Sequence, residues 1–293
     1  MMRILCLGEC MVELAPTGDG RYALGFAGDT FNTAWALRKS CPEGWQIGYA
    51  TALGDDPVSA DMLRFMAQAG ICTRDIQILT GETCGLYLIR LTEGERSFSY
   101  WRGQSAARKM ADDMDWLHLA LCGAQAVFLS GISLAILPED RRDALVTALD
   151  AFDGTLIFDP NYRARLWSSA GLARDWLMRI APRADILLPS VEDCVALLGP
   201  GGADRQGQIL QAAGAREIVI TDGPGPVTVC CDGTQSMIGF EQSAAPVDTT
   251  GAGDAFNAGY LSARLQGQTP AQAVEEGRRL SQLAIVTRGA LLP

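Results

Sequence analysis

Apolar runs of strand length recur along this chain at Ile4–Leu7, Gln46–Ala52, Ala126–Ser130, Thr155–Asp159, Ile186–Pro189 and Glu217–Thr221, and amphipathic stretches such as Pro138–Phe152 and Arg205–Ala213 lie between them. Short continuous apolar runs suit strands buried on both faces, and the helical stretches supply the long crossovers that parallel neighbours require. The alternation predicts an α/β fold, a central and mostly parallel sheet flanked by helices. In an open sheet of that kind, ligands bind beyond the carboxyl ends of the strands. A chain of 293 residues that is 48% hydrophobic has enough apolar material for the core of one large domain, taken here as residues 1–293.

Two regions break the rhythm. Cys10–Leu14 with Tyr22–Phe26, and Gly85–Leu91 with Ser97–Trp101 across Thr92-Glu93-Gly94-Glu95, read as short strands and hairpins with no helix between them. They are assigned to a small β lid, formed from about residues 10–27 and 83–103, over the strand ends. A lid suits chemistry from which water must be kept away.

Several function classes fall to inspection. The formal net charge of -10 argues against a nucleic acid or an anionic membrane as partner, so any anion site must be local. Nine scattered cysteines without a CxxC pair suggest reduced thiols in a cytoplasmic protein. The apolar run at Ile4–Leu7 is too short for a signal peptide, and the uncharged stretch Leu119–Leu137 is interrupted by Gly123, Gln125, Ser130, Gly131 and Ser133, so no membrane span is expected. His118 is the only histidine and sits in a helical stretch, which makes it structural. Neither lysine, Lys39 or Lys109, follows a GxxxxG spacing, which excludes a Walker A loop. The first strand runs into Gly8-Glu9-Cys10 in place of GxGxxG, which disfavours a dinucleotide oxidoreductase.

The stretch Asp248-Thr249-Thr250-Gly251-Ala252-Gly253-Asp254 carries the chemistry. Gly251 and Gly253 let an anion approach the backbone, and the first amides of the following helix, Ala255 to about Arg264, have no intrahelical partner and can point at phosphate oxygens. Asp254 is then placed to orient an attacking hydroxyl and accept its proton. A plain capped helix start, with Thr249 or Thr250 as N-cap, accounts for the same residues taken alone. Gly28-Asp29-Thr30-Phe31-Asn32 opens a second helix, Thr33 to Lys39, where Gly28 permits close approach and Asn32 offers a donor and an acceptor to sugar hydroxyls. At the end of a buried strand, Asp159-Pro160-Asn161-Tyr162-Arg163-Ala164-Arg165 brings arginines to the ligand edge. With Arg102 of Tyr100-Trp101-Arg102 they could grip a carboxylate in a bidentate fork.

With these words in order, the chain resembles the ribokinase-like (PfkB) carbohydrate kinases over essentially its whole length, nearest to the branch that acts on 2-keto-3-deoxy sugar acids. Gly8-Glu9-Cys10-Met11-Val12-Glu13-Leu14, Gly28-Asp29-Thr30-Phe31-Asn32-Thr33, Thr51-Ala52-Leu53-Gly54, Tyr100-Trp101-Arg102, Leu129-Ser130-Gly131-Ile132, Asp159-Pro160-Asn161-Tyr162-Arg163 with Leu166-Trp167, and Asp248 to Asp254 with Ala255-Phe256-Asn257-Ala258-Gly259 carry the resemblance. It implies about nine core strands, a β lid used in homodimer contacts, and phosphorylation of a sugar-acid 6-hydroxyl by ATP with Mg²⁺. It places Asp254 as base, Gly251, Ala252 and Gly253 as anion hole, and Gly28, Asn32, Tyr87, Tyr100, Arg102 and Arg163 at the substrate, with Arg165 a weaker candidate. Ser190, Thr221, Gly223 and Asp248, with Gly251 and Gly253, fall on the nucleotide side, and Asp193 on the magnesium network. Two departures stand out: Pro226 replaces a usual glycine in Thr221-Asp222-Gly223-Pro224-Gly225-Pro226, and the family's Asn-x-x-Glu word appears as Ser190-Val191-Glu192-Asp193. A neutral-sugar kinase of the same family (fructokinase or ribokinase), or a noncatalytic sugar-acid or nucleotide sensor, remains the alternative.

Overall fold

The computed structural model describes residues 2–92, 95–239 and 245–293. In chain order its strands are β1 (Arg3–Leu7), β2 (Met11–Gly18), β3 (Arg21–Ala27), β4 (Gln46–Gly54), β5 (Ile76–Leu79), β6 (Leu86–Thr92), β7 (Glu95–Trp101), β8 (Ala126–Ser130), β9 (Thr155–Asp159), β10 (Ile186–Leu187), β11 (Glu217–Ile220), β12 (Val227–Cys231) and β13 (Thr234–Ile238). The apolar runs read from the sequence become β1, β4, β8, β9, β10 and β11, adjacent in a nine-stranded sheet of order β13-β12-β11-β10-β9-β8-β1-β4-β5. From β11 through β5 every pairing is parallel, and β12 and β13 add an antiparallel edge.

Alternation within β1 shows how the sheet is buried. Leu5 and Leu7 face one core with Leu145, Leu149 and Trp176, whereas Ile4 and Cys6 face the other with Phe31, Phe256 and Tyr260. Each fully buried Leu or Phe side chain contributes roughly 1.5–3 kcal/mol through removal of apolar surface from water. The second core packs the helix Ala252–Leu265 between Asp29–Ser40 and Pro270–Ile285, so the two glycine-led helix starts are held together by apolar contacts. Among the described residues no helix is long and apolar enough to cross a membrane.

A second sheet of order β3-β2-β6-β7 forms the lid. Its outer pairs are antiparallel and its central pair, β2 with β6, is parallel. Register sets Tyr87 opposite Tyr100 and Leu86 opposite Trp101, which sends the two tyrosines to one face and Trp101 to the other. Residues 93 and 94 of the expected lid turn lie outside the described residues.

Candidate active site

The helix Ala252–Leu265 starts from Gly251, which adopts the left-handed conformation at φ 76°. A β-carbon there would overlap the carbonyl oxygen of Ala290, so both backbone shape and packing demand glycine. The Ala252 amide donates to Thr249 O at 3.2 Å. The amides of Gly253 and Asp254 come next in the first turn, where a helix offers no internal acceptor. Space beside the Gly253 α-carbon is open, and this residue borders the cleft.

Asp254 is half-buried, and its Oδ2 accepts a 2.7 Å hydrogen bond from Asn32 Nδ2. Asn32 Oδ1 in turn accepts from the Gly28 amide at 3.3 Å. Asn32 thus joins the Gly28 turn to the Asp254 carboxylate, and it lines the cleft where a sugar contact is expected. Gly28 is required because a β-carbon would strike the Glu9 carbonyl oxygen. Burial pushes the Asp254 carboxyl up to about 7, with Asp29 adding repulsion and Asn32 and Arg163 partly offsetting it.

Asp29, Asp159, Asp193 and Asp254 crowd this end of the sheet. Asn161 Nδ2 donates to Asp29 at 2.9 Å, and Asp159 accepts from the Asn161 amide at 2.9 Å and from Asn257 Nδ2 at 2.8 Å. Burial raises Asp159 well above the ordinary carboxylate range, and Asp193, Asp254 and Asp29 raise it further. Asn161 itself has φ 35°, a strained value that these bonds hold in place. Crowded hard oxygens of like charge fit a site that receives a divalent cation with phosphates. Among the described residues no three His, Cys, Asp or Glu side chains are arranged to cage a metal by themselves. Asp193 accepts from Tyr162 N at 2.8 Å and Ser190 Oγ at 2.7 Å, closing a capping box on the helix Val191–Leu198.

These groups line one cleft of about 950 Å³ beneath the lid, which contributes Tyr87, Phe98, Tyr100 and Arg102. Tyr87 stacks on Tyr100 at 5.7 Å and donates its hydroxyl to Glu13. Arg102 is buried and ion-paired with Glu9, so it reaches the cleft already partnered. Arg163 is exposed to the cleft and donates to Tyr162 O at 3.0 Å, and the Arg165 guanidinium lies 3.6 Å over the Tyr100 ring. Arg165, the weaker candidate from sequence, is therefore as well placed as Arg163.

A second, more apolar cavity of about 300 Å³ adjoins the first at Thr221, Thr249 and Gly253, and includes Gly223, Pro224, Pro246, Phe256 and Ile285. Arg278 Nη1 donates to Gly223 O at 2.8 Å and braces its loop. Pro226 is not among the residues lining either cavity. Ser190 lines the larger cleft. Asp248, expected on the nucleotide side, sits next to Thr249, which lines both cavities. The Asp248 side chain, 2% exposed, accepts from Thr250 N, Gly289 N and Arg96, and lines neither cavity. Burial opposes its ionisation, but the Gly289 and Thr250 amides outweigh that and lower its carboxyl below the usual range. Glu9, Asp29, Asn161, Asn257 and Arg96 were not read as site residues from sequence. The Asp-Pro-Asn word after a buried strand signalled one of them, because asparagine tolerates the left-handed region.

The family of pfkB carbohydrate kinases matches the chain over residues 1–293. The 2-dehydro-3-deoxygluconokinase of Dickeya dadantii is 37% identical over 301 residues, covering 99% of this chain and 96% of that protein. That of Haemophilus influenzae is 35% identical over 302 residues, covering 100% of this chain and 96% of the relative. A solved putative ribokinase II of Escherichia coli, in complex with ATP and magnesium, superposes with a TM-score of 0.85 at 21% identity, covering 99% of this chain and 95% of that one.

Proposed function

The chain belongs to the pfkB family of carbohydrate kinases, and from that premise we propose that it transfers the γ-phosphoryl group of ATP to the 6-hydroxyl of 2-dehydro-3-deoxygluconate. The observation that carries the reading is the meeting, in one cleft, of Asp254 at a helix N-terminus with Arg102, Arg163 and Arg165. Arg102 already has Glu9, but a neutral sugar gives the exposed Arg163 and Arg165 guanidinium groups no anionic partner, whereas a sugar carboxylate does. Near-complete coverage by two 2-dehydro-3-deoxygluconokinases supports the same substrate.

Asp254 accepts the hydroxyl proton as the sugar oxygen bonds to the γ-phosphorus and the bond to the ADP oxygen breaks. Its elevated carboxyl makes it a better base than an ordinary aspartate. The transition state is loose, so positioning and charge stabilisation contribute most, and the first-turn amides of Gly253 and Asp254 are the donors offered to the transferring group. Magnesium, when bound with the nucleotide, supplies charge neutralisation among these carboxylates, and Asp193 with Glu192 and Asp159 are the acids lining the cleft toward it. Thr221 and Gly223 border the apolar cavity that suits the adenine.

The lid face opposite the tyrosines is the proposed dimer surface. Tyr22, Leu24 and Trp101 are 42%, 56% and 60% exposed there, on a face shared by register with Leu14 and Leu88. A second copy of the chain would cover this apolar area. Free cysteines, several of them buried, accord with a cytoplasmic location.

Measuring ADP release over a panel of keto acids and neutral sugars tests the reading. A kcat/KM for 2-dehydro-3-deoxygluconate at least about 100-fold above that for fructose is expected, since a carboxylate held by charge-assisted hydrogen bonds separates substrates by that order. Equal efficiency on fructose would assign a neutral-sugar kinase, and saturable binding without ADP release a sensor.

A further inference from the structure

Arg96 lies on β7, the lid strand that also carries Tyr100, and alternation puts Arg96, Phe98 and Tyr100 on the same face. Its Nη2 donates to Asp248 Oδ2 at 2.6 Å, and its Nη1 donates to Thr250 Oγ1. Both acceptors belong to the loop that ends in left-handed Gly251 and opens the helix bearing Asp254. We propose that Arg96 is a positioning residue that locks the substrate-bearing lid to the phosphate-binding loop, an inference that rests on the kinase reading above.

Ion pairs between exposed side chains contribute little, but this one ends on a carboxylate that is almost wholly buried. That carboxylate is a junction. It also receives the Thr250 amide at 3.0 Å and the Gly289 amide at 2.8 Å, and the residue after Gly289 is Ala290, whose carbonyl packs against Gly251. A shift of Arg96 is therefore passed to both sides of the loop whose amides face the phosphate. The acceptor hydroxyl is presented from beneath the lid and the γ-phosphoryl from the loop, so their relative placement depends on what ties the two together. Phosphoryl transfer is sensitive to that placement, and an error of about 1 Å costs on the order of 100-fold. The same tie makes the two ligands favour each other, because each binds to one end of a shared contact.

The test uses the full chain with Arg96→Ala, Arg96→Lys and Thr250→Val. Binding of a non-hydrolysable ATP analogue with magnesium is measured with and without 2-dehydro-3-deoxygluconate, alongside kcat, KM and thermal unfolding. Arg96→Ala is expected to bind the analogue alone within about twofold of wild type, to lose the tightening that the sugar acid brings, and to lose about 10- to 100-fold in kcat. Arg96→Lys keeps the charge without the fork and falls between. Thr250→Val removes one acceptor and moves kcat the same way by less. Wild-type kcat and undiminished synergy in Arg96→Ala overturn the proposal. So does a loss of affinity for the analogue alone that runs parallel with a loss of thermal stability, which assigns Arg96 as a structural brace. Wild type that fails to phosphorylate the acid refutes the kinase reading instead, and the binding comparison still decides the role of Arg96.

Discussion

Replacing Asp254 by asparagine separates what this residue does for chemistry from what it costs the fold. In the native protein its carboxyl rises from 3.8 to about 7, first through burial and then through repulsion from Asp29. A group raised above its unfolded value carries a penalty for being charged when folded. That penalty is absent below about pH 4, grows as pH rises, and is complete above about pH 7. Three pH units at ~1.36 kcal/mol each set a ceiling of about 4 kcal/mol, and a half-buried carboxylate at the edge of a cleft retains about 1–2 of it. Asparagine keeps the shape and can still accept from Asn32 by presenting its amide oxygen. Asp254→Asn is therefore expected to be more stable than wild type by about 1–2 kcal/mol at pH 8, with the gain vanishing near pH 4, while kcat falls by about 10³-fold or more. Urea unfolding of both proteins across pH, with ADP-release kinetics at each point, measures the two effects. A stability difference that does not change with pH would refute the burial argument, and near wild-type turnover would remove Asp254 from the base role.

How much of this is legible in the sequence depends on whether the signal is local. The parallel strands are, because a strand buried on both faces must be a continuous apolar run, and each such run takes its place in the large sheet. The edge strands β12 and β13 escaped, although Asp232-Gly233 between them marks a two-residue hairpin whose residues have φ 50° and 72°. β5 escaped because it is a four-residue edge strand that is only partly buried. In the site, Gly28 and Gly251 read as positions where a ligand nears the backbone, whereas the groups packed against them are the protein's own Glu9 and Ala290 carbonyls. What each polar side chain bonds to is not legible, because the partners are remote: Asn32 with Asp254, Arg102 with Glu9, Arg96 with Asp248. Arg102 was read as a free substrate grip, and its burial against Glu9 follows from lid packing that no local pattern encodes.

Gly251 and Gly253 predict opposite outcomes. Gly251→Ala, forced into the left-handed region and against the Ala290 carbonyl, should lower thermal stability by about 1–3 kcal/mol. Gly253→Val meets open space and should keep most of the stability while weakening ATP turnover at least tenfold, which kinetics and unfolding together check. On the outer lid face, Leu24→Asp with Trp101→Asp should convert the proposed dimer to monomer in analytical ultracentrifugation without unfolding the chain, and an unchanged sedimentation coefficient would refute that interface. The arginines separate most sharply. Arg163 is exposed in the cleft and donates to the neighbouring Tyr162 carbonyl, so on the proposed reading Arg163→Ala removes a substrate contact with little cost to the fold. It should weaken the keto acid by about 1.5–3 kcal/mol in kcat/KM, leaving fructose and the unfolding temperature nearly unchanged. Arg102→Ala instead strands the buried Glu9 carboxylate, and removing one partner of a buried ion pair costs about 3–5 kcal/mol of stability. Adding Glu9→Gln to Arg102→Ala should restore much of that stability but not the discrimination between acid and neutral sugar. If the double variant regains neither, Glu9 and Arg102 are not a coupled pair; if Arg102→Ala alone keeps full stability, the buried ion pair does not hold the lid as the geometry requires.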